Sequence, residues 1–406
     1  MKLRPYQKEL SEKGCDVLTE LGIVYFAMEV RTGKTLTALN TAELFGARRV
    51  LFLTKKKAIG SIQSDFEKFG FSFDLTVIND ESMHKLEDNF DLIIHDEHHR
   101  FGAFPKPGKA TRLFKQSFSH LPMIFLSGTP HPESYSQIFH QFWISNYSPF
   151  KLYGSFYRWA NDYVNKKVKH LGHGVVNDYS EARIDLIRPI IEPYMITLTQ
   201  EQAGFETKVV ENVLNVKMSD QTYAMCDRLK KDLVIEGTDE VILADTGVKL
   251  MQKLHQMYSG TVKFESGSRM VLDYSKADFI LDRFGSDKVA IFYKFTAELD
   301  MLKKALGDRL TQDISEFNSD PNKWIALQIV SGREGINLSS ADFLLYLNID
   351  FSAVSYWQSR DRLTTMERKE NDLFWIFSEG GIESKIYKTV KNKKDFTLSV
   401  FKKEMK

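Results

Sequence analysis

The sequence predicts an α/β protein made of two doubly wound parallel-sheet domains. Three observations carry this. Short continuous apolar runs alternate with helical stretches over the first 145 residues, the alternation gives way to interleaved aromatic and basic residues from about 150 to 205, and it resumes from about 280. Strands that are apolar throughout are buried on both faces, which a parallel sheet covered by crossover helices requires. The expected boundaries are a first domain over 1–148, an aromatic and basic connecting or accessory segment over 149–205, and a second domain over 206–406. A chain of 406 residues has room for two or three domains that each bury a core.

In the first half the apolar runs Ile23–Met28, 50–54, 75–78, Leu92–His95 and 123–127 read as strands, and Lys34–Phe45, 58–69 and 134–143 as helices between them. In the middle, Tyr153, Phe156, Tyr157, Trp159, Tyr163, Lys166, Lys167 and Lys169 precede a turn at Gly172-His173-Gly174. Such a stretch is a base-stacking or strand-separating surface in one reading and packed core in the other. In the second half Val289–Tyr293, 324–330, 343–348 and 373–377 read as strands and 297–306 as a helix.

Composition narrows the classes. Fifty-five Lys and Arg against 54 Asp and Glu leave a formal charge of +1, which excludes a binder driven by a basic tail and leaves room for a local basic groove. Two cysteines, Cys15 and Cys226, support neither a disulfide framework nor a paired-cysteine zinc site. The start lacks the apolar centre of a signal peptide, and no apolar run approaches the 18 or more residues of a membrane span. A soluble, cytoplasmic protein that needs no membrane is the expectation.

Parallel sheets bind ligands beyond the carboxyl ends of their strands, and the chemically unusual residues fall there. The strand Ile23–Met28 runs into Glu29-Val30-Arg31-Thr32-Gly33-Lys34-Thr35 and then a helix. Strand, tight turn and helix start form a phosphate-binding loop, whose backbone N–H groups and helix dipole favour phosphate. Lys34 would reach the β and γ phosphates of a nucleotide and the Thr35 hydroxyl would ligate Mg²⁺. The full pattern has a glycine where Met28 stands. The strand Leu92–His95 leads into Asp96-Glu97-His98-His99. Two adjacent carboxylates at a strand end can divide labour, Asp96 holding Mg²⁺ and Glu97 orienting and deprotonating an attacking water. A rival reading makes His95, His98 and His99 transition-metal ligands, although the residues around them do not match the helical zinc-protease spacing.

Taken in order, these segments resemble a superfamily-2 helicase or translocase of the SWI/SNF-like branch, in its compact phage and bacterial form. Arg4-Pro5-Tyr6-Gln7 resembles the segment whose Gln reads adenine, 27–35 motif I, 51–57 followed by 65–69 motif Ia, Asp96-Glu97-His98-His99 motif II, and Leu126-Ser127-Gly128-Thr129-Pro130 motif III. Residues 289–295 resemble motif IV, Gly335-Ile336-Asn337-Leu338 with Ser339-Ser340-Ala341-Asp342 motif V, and Tyr356-Trp357-Gln358-Ser359-Arg360-Asp361-Arg362 motif VI. The chain departs from the pattern with Arg31 in place of a glycine, Lys55 in place of a proline and Thr365 in place of the second motif VI arginine.

The resemblance implies two RecA-like domains with an ATP cleft between them, and ATP and Mg²⁺ as cofactors. It makes Arg4, Tyr6, Gln7, Arg31, Thr32, Gly33, Lys34 and Thr35 the nucleotide-binding residues, and Thr35 and Asp96 the metal ligands. Lys34, Asp96, Glu97 and Gln358 become catalytic, with Arg362 as the matching arginine finger, Arg360 its neighbour and Arg368 a distant candidate. Thr54, Lys55, Lys56, Thr129, Lys294 and Ser331 become contacts to a nucleic-acid backbone, which carries no sequence information. The implied activity is ATP-dependent translocation on, and unwinding or branch migration of, forked or duplex DNA, by a monomer with or without a protein partner. The Gly-Ile-Asn-Leu of motif V favours DNA over the alternative of an RNA helicase. An ATP-gated clamp that grips nucleic acid without stepping is the alternative from another class. The lysines from Lys385 to the end read as a further nucleic-acid contact or as a basic helix.

Overall fold

Six strands of the first half, β1 (Ile23–Met28), β2 (Arg49–Thr54), β3 (Asp74–Asn79), β4 (Leu92–His95), β5 (Met123–Leu126) and β6 (Met195–Leu198), form one sheet in the order β3-β2-β4-β5-β1-β6. Every pairing in it is parallel. The computed structural model describes residues 2–391 apart from 87–88, 133, 172–173, 207, 238–239, 333–335, 337, 366–369 and 389. Alternate residues of β1 enter opposite cores: Ile23 and Tyr25 pack with Leu51, Leu53 and Ile93, whereas Val24, Phe26 and Met28 pack with Val50, Phe52 and Ile94. A strand buried on both faces must be apolar throughout, which is why periodicity located it.

Two elements of this sheet's surroundings escape hydrophobic patterning. Helix α1 (Pro5–Leu21) buries Gln7, Ser11, Gly14 and Leu18, a stripe at helical spacing made of small and polar residues. It packs on helix α2 (Lys34–Phe45), with Ser11 Oγ donating to Thr37 O at 3.1 Å. Strand β6 is short and follows the aromatic segment, yet it pairs with β1 through Tyr25–Met195 to Met28–Leu198. The stretch 149–205 thus packs with the first unit, which extends to Phe205. Phe156 and Trp159 are fully buried in the core on the Tyr25 face, so most of the aromatic run is packing. Tyr157 is the exposed exception at 44%. Lys166 and Lys167 lead into an antiparallel hairpin, Lys167–Leu171 with Gly174–Asp178. The turn residues Gly172 and His173 lie outside the described residues.

The second unit begins at Glu206. Its sheet contains β7 (Lys208–Val216), β8 (Val289–Tyr293), β9 (Leu310–Thr311), β10 (Trp324–Gln328), β11 (Phe343–Tyr346) and β12 (Glu370–Ser378), in the order β9-β10-β8-β11-β12-β7. It too is parallel throughout. Both faces are again covered: Ala290, Phe292 and Leu344 enter one core, Val289, Ile291 and Leu345 the other. Between β7 and β8 a smaller cluster around Cys226, Leu229, Leu254 and Met257 joins helices Asp220–Asp232 and Gly247–Tyr258 to two short antiparallel hairpins. The apolar run at 324–330 divides: its last residues turn into the short helix Ile329–Gly332. Among the described residues no helix is long and apolar enough to cross a membrane.

Candidate functional site

Strands β4, β5 and β1 are consecutive in the first sheet and run the same way. The turns that follow them, Asp96-Glu97, Ser127-Gly128-Thr129-Pro130 and residues 29–33, therefore leave the sheet side by side at its carboxyl end. The loop after β1 is held in shape by left-handed backbone at Arg31 (φ 63°) and Gly33 (φ 83°). A Cβ at Gly33 would stand 2.2 Å from Gln7 Nε2, so the Gln7 amide keeps its place only because residue 33 has no side chain.

The residues read from the sequence as a nucleotide site converge on this loop. Tyr6 Oη donates to Thr32 O at 3.0 Å, and Arg4 donates to Tyr6 Oη at 2.8 Å. Gln7 accepts from Arg4 N at 2.9 Å and donates to Gly33 O at 3.4 Å. Lys34 opens α2 and donates from Nζ to Met28 O at 3.0 Å and Glu29 O at 3.2 Å. Thr35 is the next residue of the helix and is half-buried. Gly128 lies against this lysine, its absent Cβ being 3.7 Å from Lys34 Nζ.

Asp96 is fixed from two sides. Its backbone N–H donates to Leu53 O at 2.9 Å, and one carboxylate oxygen accepts from Thr54 Oγ1 at 3.0 Å while the other accepts from Glu97 N at 3.0 Å. Burial and the adjacent Glu97 carboxylate push the Asp96 carboxyl up to about 6, against the pull of Lys34 and the Thr54 hydroxyl. The Asp96 carboxylate, in the field of Lys34, is a hard oxygen donor of the kind that suits Mg²⁺. Glu97 adopts left-handed backbone (φ 48°), which turns it out of the strand direction. His99 Nδ1 lies 3.3 Å from Glu97 Oε2 and 3.0 Å from Ser127 Oγ, and Ser127 Oγ accepts from Thr129 N at 3.1 Å.

The neighbouring histidines do something else. Gln141 O accepts from His98 Nε2 at 2.9 Å, so His98 Nδ1 is left to accept from His95 Nδ1 at 2.6 Å. His95 Nε2 faces Asp80 Oδ1 at 3.3 Å, and Arg100 pairs with the other Asp80 oxygen at 2.7 Å. The His98 ring stacks on Phe125 with centroids 3.6 Å apart. His95 and His98 form a buried polar chain beneath the site. Among the described residues no group of three or more His, Cys, Asp or Glu is placed to hold a metal ion, which removes the support for the transition-metal reading.

The residues assigned to nucleic acid separate. Thr54 is 1% exposed and its hydroxyl is committed to Asp96, so it serves the acidic pair and offers nothing to a backbone phosphate. Lys56 is exposed and Lys55 half-buried at the end of β2. Thr129 sits half-buried in the Ser-Gly-Thr-Pro turn, and its Oγ1 makes no hydrogen bond among the described residues. In the second unit Lys294 follows β8 and pairs with Asp350 at 3.0 Å, with the Phe351 ring 4.5 Å from its Nζ. Its charge is largely neutralised where it stands. The side chains of Ser331 and Gln358, together with Gly335, Asn337 and Arg368, lie outside the described residues.

Of the motif VI arginines, Arg360 is engaged by Glu211 at 3.4 Å. That carboxylate also accepts from Tyr356 Oη at 2.7 Å, Tyr387 Oη at 2.9 Å and Trp375 Nε1 at 3.1 Å. Sequence patterning does not point to this hub, because Glu211 lies on a strand far from motif VI in the chain. Arg362 is 7% exposed, and its guanidinium donates to Ile336 O at 3.4 Å.

No known family profile matches the chain, and no curated protein does. Solved structures do. The Sulfolobus solfataricus SWI2/SNF2 ATPase core in complex with dsDNA is 16% identical, with 98% of this chain and 93% of that one covered at a TM-score of 0.42. The Sulfolobus solfataricus SWI2/SNF2 ATPase core domain is 17% identical, with 99% and 90% covered at a TM-score of 0.42.

Proposed function

We propose that the chain is an ATPase driven by nucleic acid, which couples hydrolysis to movement on duplex or forked DNA. The observation that carries the reading is the run of close polar contacts from Glu97 to His99 Nδ1, from that same nitrogen to Ser127 Oγ, and from Ser127 Oγ to the Thr129 N–H. It joins the carboxylate suited to activate water to the turn that carries Thr129, the residue that the motif III resemblance assigns to nucleic acid. The order of motifs along the sequence supports the same reading.

In this proposal the loop N–H groups and Lys34 hold the nucleotide phosphates, while Thr35 and Asp96 hold Mg²⁺. The bound metal supplies neutralisation of phosphate charge. Glu97 accepts the proton of the attacking water, and His99 orients Glu97. Arg362 is the arginine proposed, from its match to motif VI, to stabilise the transferring phosphoryl group, and a residue of that kind accelerates hydrolysis by roughly 10³–10⁵. Arg360 holds the motif VI helix through Glu211. Unwinding and branch migration are the finer outcomes proposed for this motor, with DNA favoured over RNA.

The test is steady-state ATP hydrolysis by wild type, Glu97→Gln and Lys34→Ala with no nucleic acid, single strand, duplex, fork and RNA. Hydrolysis should rise at least tenfold with duplex or forked DNA and fall at least 10²-fold in Glu97→Gln, which should still bind nucleotide. Triplex-strand displacement by wild type reports stepping. Hydrolysis indifferent to nucleic acid and to Glu97 would overturn the reading.

A further inference from the structure

The chain departs from the glycine-rich pattern at two places, Met28 at the end of β1 and Arg31 in the loop at residues 29–33, and Arg31 nonetheless adopts left-handed backbone at φ 63°. A non-glycine residue occupies that region only where its surroundings hold it. The peptide that enters Arg31 is held from outside the phosphate motif: Gln200 Nε2 donates to Val30 O at 2.9 Å. Two further bonds fasten the same place, with Gln200 N donating to Glu29 Oε2 at 2.8 Å and Glu29 N donating to Leu198 O at 2.9 Å. The loop is thus clamped to the end of β6, the sixth strand of its sheet.

The consequence for a bound phosphate follows from peptide planarity. In a trans peptide the N–H points opposite to the C=O of the preceding residue. Val30 O and Thr32 O are drawn outward by Gln200 and Tyr6, and Gly33 O accepts from Thr37 N and Oγ1 in the first turn of α2 as well as from Gln7. The N–H groups of Arg31, Gly33 and Lys34 therefore face the other way, into the concave side where a nest of N–H dipoles receives an anion. Tyr6 and Gln7 belong to the recognised N-terminal motif. Gln200 belongs to none, and it stands five residues before Phe205, which buries against the Tyr6 side of the core and lies 5.6 Å from the Arg4 guanidinium.

We infer that Gln200 is a positioning residue of the phosphate loop: its side-chain amide sets the Val30–Arg31 peptide, and it ties the loop to the chain segment that leads into the second unit. The part of this that concerns nucleotide rests on the function proposed above, and the part that concerns loop order does not. Gln200→Met keeps the length of the side chain and removes the donor, leaving the backbone bond to Glu29 in place. Gln200→Ala is the second variant, should methionine disturb the fold.

Two readouts on the full chain decide it. Hydrogen exchange of peptides spanning 28–35, without nucleotide, should accelerate at least threefold in either variant, while exchange in β4 and β5 stays as in wild type. Titration with the fluorescent analogue mant-ADP and Mg²⁺ should give an affinity about 5- to 10-fold weaker, the range for one lost hydrogen bond at a preorganised site. The KM for ATP should rise to match, with kcat within about twofold. Unchanged exchange in the loop overturns the inference whatever the nucleotide result, and so does unchanged mant-ADP affinity where wild type binds in a Lys34-dependent way. If wild type does not bind mant-ADP, or Lys34→Ala binds equally well, the nucleotide reading itself fails, and loop exchange still decides the role of Gln200.

Discussion

Thr54 shows how one hydroxyl changes the meaning of a residue. From the sequence it belongs with surface lysines at a strand end; in the fold it donates to Asp96 at 3.0 Å and steadies the ionised form of a carboxyl raised to about 6. Replacing it by valine keeps the shape and removes the donor, so the Asp96 pKa should climb further and protons should compete with Mg²⁺ at higher pH. The Mg²⁺ concentration for half-maximal ATP hydrolysis should rise about 3- to 10-fold in Thr54→Val, more at pH 6.5 than at pH 8. A magnesium titration of the two proteins at both pH values checks this, and equal curves would remove Thr54 from the site. The same scale explains what was legible. Lys34, Asp96 and Glu97 announce themselves because the chemistry needs those side chains in short, contiguous patterns. Gln200 and Glu211 do not, because each acts on a backbone carbonyl or an arginine brought near by pairing between distant segments.

Helix α1 makes the corresponding point for an element. Its buried side, Gln7, Ser11, Gly14 and Leu18, carries one large apolar residue, so a search for hydrophobic periodicity passes over it, whereas β1 and β8 cannot be missed. What holds α1 close is the absence of a side chain at Gly14: a Cβ there would stand 2.5 Å from Phe26 Cζ and 3.1 Å from Thr41 Oγ1. Gly14→Ala should push the helix off the sheet and cost about 1–3 kcal/mol of stability by overpacking. Tyr6 and Gln7 ride on the same helix, so the KM for ATP should rise with the loss. Thermal unfolding and ATP kinetics measure the two effects together; a stable variant with wild-type KM would mean that α1 does not set the loop. The aromatic segment before β6 was obscured for a related reason. Its aromatic residues suit an exposed stacking surface as well as a core, and only the sheet's need for cover on the Tyr25 face selects between the two.

Over the whole molecule, both units bury neutral histidines. Desolvation lowers His131 and His140 in the first unit to about 4 and His255 in the second to about 3. The ordinary value of about 6.5 applies when the chain unfolds, so the unfolded state takes up protons first as the pH falls. The stability these groups contribute is full above pH ~6.5 and declines from there toward pH ~4, by on the order of 2 kcal/mol each at pH 5. Urea midpoints should therefore drop steadily between pH 7 and pH 5 for both units, and a flat profile would show that these rings are hydrated in the folded protein. A last consequence concerns the order in which the protein can be made. Strand β7 finds its partner in β12, with Asn212 and Asp372 paired across 160 positions. The first sheet can be complete once β6 has left the ribosome, whereas the second waits with an open β7 edge until synthesis has passed Ser378. During that interval the nascent chain carries a finished domain beside an unmatched strand, and β7 is only partly buried along most of its length, with Glu211 and Asn212 set among valines. Those polar residues, placed for a partner that arrives late, also keep the waiting edge from recruiting a neighbouring chain.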